Sequence, residues 1–189
     1  MIAKIQKKKV KDFLENRSKT VVISKKIILK ILVKKMTKII TNLIEAHVFR
    51  KTKNGIEFLL LKRSETEIYP GFWQMVSGKI RKNEKAYKTA LREIKEETGL
   101  NPKKFWVAPN VNSFYYPEKD YISLLPVFAA LVDSKSKVKL SDEHTEYKWV
   151  NPAKAKRMLA WAGQRQSVEI IREYFTKEIS FLNFVEINM

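Results

Sequence analysis

No cysteine occurs in the 189 residues, which excludes disulfides and thiolate metal sites and is compatible with a reducing cytoplasm. Histidine is nearly as scarce: His47 and His144 are the only two, so a zinc site built from imidazoles is not expected. A metal held by this chain would be a hard cation on carboxylate oxygens. Long apolar runs are also missing. Lysines break the N-terminal ones, and nothing approaches the roughly 20 apolar residues of a membrane-spanning helix. The same stretch lacks the small-residue cleavage site of a secretory signal. Acids are outnumbered, 20 Asp and Glu against 38 Lys and Arg, for a formal net charge of +18. What is present suffices for a core: hydrophobic residues make up 44% and aromatics 11% of the chain, which suits one packed domain with extra length at an end.

The basic excess is uneven. Residues 1–37 carry twelve Lys or Arg against two acids, Asp12 and Glu15. Within them "VVISKKIILKILVKK" (21–35) spaces Lys26, Lys30 and Lys34 four apart. This is a basic amphipathic helix pattern that can touch an anionic membrane or nucleic acid. It also reads as a dispensable extension or a mis-assigned start, since Met36 directly precedes "TKIITNLIEAH". The expected organisation is a basic extension over 1–37, a folded domain over 38–178 and a tail over 179–189.

"NLIEAHVFR" (42–50) and "IEFLLLKR" (56–63) read as strands around Asn54-Gly55, a strong hairpin turn signal. "YPGFWQMVSGKI" (69–80) supplies turn residues and then an aromatic-rich strand. "KFWVAP", "SFYY", 122–132 and "TEYKWV" (145–150) read as four further strands, and two helices follow, the first opened by Asn151-Pro152. Residues 84–97 predict a helix with Ala86, Tyr87, Ala90, Leu91 and Ile94 on one face, Asn83 as its cap and Gly99 at its left-handed end. Strands and helices mix without strict alternation. The expected class is α/β, a mixed sheet with helices on its faces.

That helix raises the main question, because "REIKEETG" (92–99) packs Glu93, Glu96 and Glu97 together in a basic chain. At about 100° per residue, Glu96 lies about −60° and Glu97 about +40° from Glu93, so the three share one wedge. Uncompensated, they repel and raise one another's pKa values. A divalent cation reverses that balance, and Mg²⁺ prefers a few carboxylates together with water and phosphate oxygens. An ordinary solvated helix face can also carry such acids. Two features argue for a site: a glycine loop, "SGKIRKNE", stands before the helix, and Arg92 stands beside the acids.

Gly78, five residues, Glu84, seven residues and then Arg92 to Leu100 resemble the Nudix box at every defined position. The resemblance extends over about residues 40 to 176. It implies a Nudix-type α/β/α sandwich with a catalytic loop–helix–loop, and hydrolysis of nucleoside diphosphates linked to another group. It further implies that Glu93 and Glu97 hold Mg²⁺ (or Mn²⁺), with Glu96 a third ligand and the Ser77 carbonyl adding an oxygen. Arg92 would orient the glutamates, Glu84 would lie near the cluster, and Gly78 and Gly99 would shape the loops. Family members commonly add a carboxylate from outside the box. Asp142 and Glu143 stand in "LSDEHTEYKW", a stretch similar to that of Nudix enzymes acting on nucleoside or pterin triphosphates and of diadenosine tetraphosphate hydrolases. Glu96 and Glu143 are both candidates for the base that deprotonates water, while His144 reads as a hydrogen-bonded structural residue.

For the substrate, Arg63, "GFWQMVSG" and "AWAGQRQSVEII" resemble the dihydroneopterin triphosphate/dATP pyrophosphohydrolase branch. Three extra residues before Phe72 and one between Trp161 and Arg165 depart from it. Trp73, Tyr115 and Trp161, with Phe114 and Tyr116 beside them in sequence or kind, are the aromatics expected to stack on a base or pterin. The expected product pair is a monophosphate and pyrophosphate. A dinucleoside polyphosphate hydrolase, an RNA 5′-end hydrolase and a non-catalytic nucleotide-binding module are the alternatives, although no nucleic-acid-binding motif is present.

Overall fold

A computed structural model describes residues 37–177 and 184–188. The basic helix expected around Lys26, Lys30 and Lys34 lies outside the described residues. Among the described residues, nine strands and three helices follow in the order β1 (Lys38–Ile40), β2 (Leu43–Thr52), β3 (Gly55–Arg63), β4 (Trp73–Gln74), β5 (Val76–Lys79), α1 (Ala86–Thr98), β6 (Lys104–Tyr116), β7 (Tyr121–Leu131), β8 (His144–Val150), α2 (Pro152–Met158), α3 (Ala162–Thr176) and β9 (Val185–Glu186). They form a mixed sheet of order β4-β3-β2-β7-β6-β9, with β1 on β7, β5 on β2 and β8 on β3. β2 runs parallel to β7 and antiparallel to β3 and β5.

Period-2 alternation divides the core into two layers. Along β2 and β3, Ile44, Ala46, Val48, Leu59 and Leu61 face α1, where Ala90 and Ile94 cover them. Phe49, Phe58 and Leu60 face the other way, against Val168 and Ile171 of α3 and Leu159 beyond α2. The result is an α/β/α sandwich, as the resemblance to the Nudix box implies, built on the mixed sheet that the strand and helix pattern predicts. Ile94 is fully buried, and an Ile94→Ala change would cost about 3 kcal/mol through the cavity left behind.

Three local expectations are corrected. The helix does not begin at a capping Asn83: Asn83 takes a left-handed conformation (φ 64°) and Lys85 precedes the first helical residue without a side-chain cap. Glu84 instead closes the turn, accepting from the Arg81 backbone N–H at 3.1 Å, and its carboxylate is then held by Arg92. "KFWVAP" and "SFYY" are not separate strands but parts of the 13-residue β6, carried past Pro109 by an irregularity between Val107 and Val111. The stretch read as a tail also returns to the fold, with Phe184 buried and β9 paired to β6 at Trp106 and Val107.

Two features position the site. Gly99 ends α1 in the left-handed region (φ 69°), its N–H on the Lys95 carbonyl, which brings the acidic last turn to the mouth of the loop. In the β3–β8 pair the register slips between Lys62 and Arg63, so that Arg63 stands opposite His144. Such bulges re-aim side chains next to active sites.

Candidate active site

β5 and α1 meet at Gly78. A Cβ on that residue would lie 2.1 Å from Glu93 Cγ, so the Glu93 side chain crosses the backbone where only glycine leaves room. Ser77, directly before it, pairs with Glu45 of β2, and its backbone N–H helps to lower the pKa of Glu97.

Arg92 organises the acids around itself. Its Nε and Nη2 donate to the two oxygens of Glu84 at 2.9 and 3.0 Å, and Nη1 donates to Glu93 at 2.6 Å and Glu96 at 2.9 Å. Nη2 also donates to the Lys79 carbonyl at 3.2 Å. All five guanidinium N–H groups are thereby used. The fork on Glu84 holds that carboxyl down at about 2 and pushes the Arg92 pKa up. Arg81 adds two weaker contacts to Glu96, both at 3.3 Å.

Glu97 receives no such partner. It is 2% exposed, and its Oε2 is buried with no hydrogen bond. Burial pushes its pKa well above the carboxylate range, and the nearby charges of Glu143 and Glu93 push it further. Glu93 is raised too, by burial first, with Arg92 opposing and Glu96 and Glu143 adding to the rise. Glu93, Glu97 and Glu143 are thus close enough to repel one another, and only Glu93 is compensated by a cation in contact. Among the described residues no three acidic or imidazole side chains already surround one point, because Glu93 and Glu96 are turned into Arg92.

Glu143 lies in the turn before β8. It is exposed, its carbonyl accepts from the Ser64 backbone N–H at 2.9 Å, and its carboxylate has no hydrogen-bond or ion-pair partner among the described residues. His144, next to it, is buried beside Glu97, Nε2 to Oε2 3.6 Å. Burial and the Arg63 charge lower its pKa to about 4, so the pair is not an ion pair near neutrality. Arg63 donates to Gln74 Oε1 at 2.7 Å and to Glu67 at 2.8 Å.

The aromatics separate into different places. Trp161, at the start of α3, meets Tyr69 and Phe72 at centroid distances of 5.4 and 5.9 Å, and Tyr69 stacks on Phe72 at 5.8 Å. All three are exposed. Phe72 lies beside Arg63, whose backbone N–H donates to the Phe72 carbonyl. Trp73 instead packs on the α3-side core and lies under Lys148 at 4.6 Å. Tyr115 is exposed on the β6–β7 hairpin and bonds Asp120, while its neighbours Phe114 and Tyr116 contact each other and Tyr116 contacts Tyr121. Tyr69, Phe72, Gln74 and Arg81 were not singled out from sequence. Tyr69 and Phe72 stand in "YPGFW", where adjacent turn residues hide their shared face. Gln74 gains its partners only across strands.

This chain belongs to the Nudix family, whose NUDIX domain matches residues 44–172, and is a hydrolase of phosphoanhydride bonds in nucleotide compounds. More particularly, it is 28% identical over 103 residues to the asymmetrical bis(5′-nucleosyl)-tetraphosphatase of Caenorhabditis elegans, covering 54% of this chain and 72% of that one. It is 25% identical over 108 residues to the nucleoside triphosphatase NudI of Escherichia coli, covering 53% and 77%. Among solved structures, the E. coli dihydroneopterin triphosphate pyrophosphohydrolase shares its fold (TM-score 0.58, 21% identity, 74% of this chain and 99% of that one). The family generally uses divalent metal ions such as Mg²⁺.

Proposed function

We propose that this hydrolase is a Mg²⁺-dependent (or Mn²⁺-dependent) pyrophosphohydrolase that cleaves a nucleoside triphosphate or a related compound, dATP-like or dihydroneopterin triphosphate-like, to a monophosphate and pyrophosphate. The observation that carries this reading is Glu97: a buried carboxylate with an unpartnered oxygen beside two further acids. Such a group is costly in an empty site and is stabilised by a hard cation. The donors fit that ion. Glu93, Glu97, Glu96, Glu143 and the Ser77 carbonyl would offer oxygens only, the donor type that Mg²⁺ takes together with phosphate and water. To hold it, Glu93 and Glu96 would turn from Arg92, which would keep its fork on Glu84.

When bound, the cations draw charge off the phosphate oxygens and make water easier to deprotonate. The protein's own groups do the rest. Water oxygen bonds to phosphorus, the bridging P–O bond breaks, pyrophosphate departs, and the water proton passes to a carboxylate. Of the two candidate bases, Glu143 is favoured, because its carboxylate has no hydrogen-bond or ion-pair partner among the described residues, whereas Glu96 starts from contacts with Arg92 and Arg81 and, once turned to the cation, would be engaged as its ligand. Arg63 offers a cation for substrate phosphate. Trp161, with Tyr69 and Phe72, offers an exposed ring surface for a base or pterin, a better place for it than Trp73, which is packed into the core, or Tyr115.

A dinucleoside polyphosphate is the second reading, favoured by the similarity to the C. elegans tetraphosphatase. Incubation with dATP, dihydroneopterin triphosphate and diadenosine tetraphosphate in Mg²⁺, with products separated by anion exchange, tests both. The expected result is a monophosphate plus pyrophosphate from one of the triphosphates. Faster cleavage of the tetraphosphate supports the second reading. Tight binding of all three without turnover contradicts both.

A further inference from the structure

Arg63, Gln74 and His144 come from three different strands and form one hydrogen-bonded chain that ends beside Glu97. Its polarity is fixed at one end. A guanidinium has donors only, so the atom of Gln74 that receives Arg63 Nη1 at 2.7 Å is the amide oxygen. The Gln74 amide nitrogen therefore faces His144 Nε2, at 3.2 Å, and an amide nitrogen only donates. His144 Nε2 must then be an acceptor, and the ring proton must sit on Nδ1. That Nδ1 is buried without a partner among the described residues, so nothing on its own side selects this tautomer. The selection comes from Arg63 through Gln74. Glu67 fixes Arg63 in turn, accepting from Nη2 at 2.8 Å.

The consequence falls on Glu97. His144 Nε2 stands 3.6 Å from Glu97 Oε2, near enough that an Nε2–H would swing onto that oxygen in a charge-assisted hydrogen bond. With the Nε2 lone pair turned to Gln74, His144 has no proton to give, and Oε2 stays unpartnered. We propose that Gln74 is a positioning residue that, held by Arg63, fixes His144 with its proton on Nδ1 and so keeps the Glu97 carboxylate open to a divalent cation. The proposal rests on the reading of Glu97 as a cation ligand. Metal-site carboxylates and imidazoles are commonly tuned by such outer partners, whose loss costs about 10–100-fold in metal affinity.

The presence of only two histidines makes the test direct. Long-range proton–nitrogen NMR spectra of ¹⁵N-labelled, metal-free protein, assigned with His47→Gln, report which nitrogen of His144 is protonated. Mn²⁺ affinity is measured separately by calorimetry on the same proteins. The expected wild-type ring is neutral with the proton on Nδ1. In Gln74→Met, which keeps the volume and removes both hydrogen bonds, the proton moves to Nε2 and Mn²⁺ binding weakens about ten-fold or more. Arg63→Met, which frees the Gln74 amide to turn, shifts the tautomer and the affinity in the same directions and serves if Gln74→Met fails to fold. A wild-type proton on Nε2 overturns the proposal, as does a switched tautomer with Mn²⁺ affinity unchanged within two-fold. Wild-type protein that binds no Mn²⁺ overturns the reading of Glu97 itself.

Discussion

At the scale of single residues, the site is organised by which acids are compensated and which is not. Arg92 gives every donor to its neighbours, while Glu97 is buried with an open oxygen. A raised carboxyl pKa means that the folded chain holds that proton more tightly than the unfolded one. Its contribution to stability is therefore full below about pH 4.5 and is lost as the pH rises through the raised value. Metal-free Glu97→Gln is accordingly expected to melt at a higher temperature than the parent at pH 8, with the gap closing toward pH 4.5. His47 and His144, lowered to about 3 and about 4, act in the opposite direction but are common to both proteins. Turnover in the same variant should fall by orders of magnitude. A parent that melts higher than the variant at pH 8 would show Glu97 to be compensated after all. Glu143→Gln should lower kcat about 100-fold, the lower end of what a positioned general base supplies. A kcat within a few-fold of the parent would return the proton to Glu96. The glutamates themselves are legible in the sequence because their spacing is local to one helix. The chain through Gln74 is not, since its members lie 11 and 70 positions apart and meet only after a strand bulge brings Arg63 opposite His144.

At the scale of elements, the end of α1 is legible and its beginning is not. Gly99 is the left-handed residue that the pattern demands, and Gly99→Ala should cost about 1 kcal/mol from φ alone, with Lys139 Cβ already 3.2 Å from the added methyl. Chemical denaturation measures this, and an unchanged midpoint would contradict the strain. The helix start fails as a sequence reading because Asn83 is equally good as a left-handed turn residue, and the Glu84–Arg92 fork decides between the two uses. Gly78 links elements as well as residues. Gly78→Ala places a methyl inside the Glu93 side chain, at a cost of about 1–3 kcal/mol and with loss of activity through a displaced Glu93. Full activity in that variant would mean that Glu93 does not need its present path. The sequence reads as two strands, "KFWVAP" and "SFYY", where β6 is one, because the ladder with β7 slips between Val107 and Val111 and resumes from Val111 to Tyr116.

At the scale of the whole molecule, an acidic site sits in a chain of net charge +18. That field attracts phosphate-rich substrates, and kcat/KM should fall as ionic strength rises from about 0.01 to about 0.15 M, where screening shortens to roughly 8 Å. The mixed sheet with helices on its faces was legible from the strand and helix patterns, and the family and its sandwich from the resemblance to the box; the ring surface proposed to take a base or pterin was not, because Tyr69, Phe72 and Trp161 come from a turn and a helix start far apart in sequence. The central claim is that Glu97 and its neighbours exist to hold divalent cations against a phosphoanhydride, and isothermal titration calorimetry of the purified protein with Mg²⁺ and Mn²⁺, alone and with a nonhydrolysable nucleoside triphosphate, tests it most directly. Saturable binding that tightens with nucleotide and disappears in Glu97→Gln is the predicted result; no heat of binding for either ion, with nucleotide or without, would contradict it.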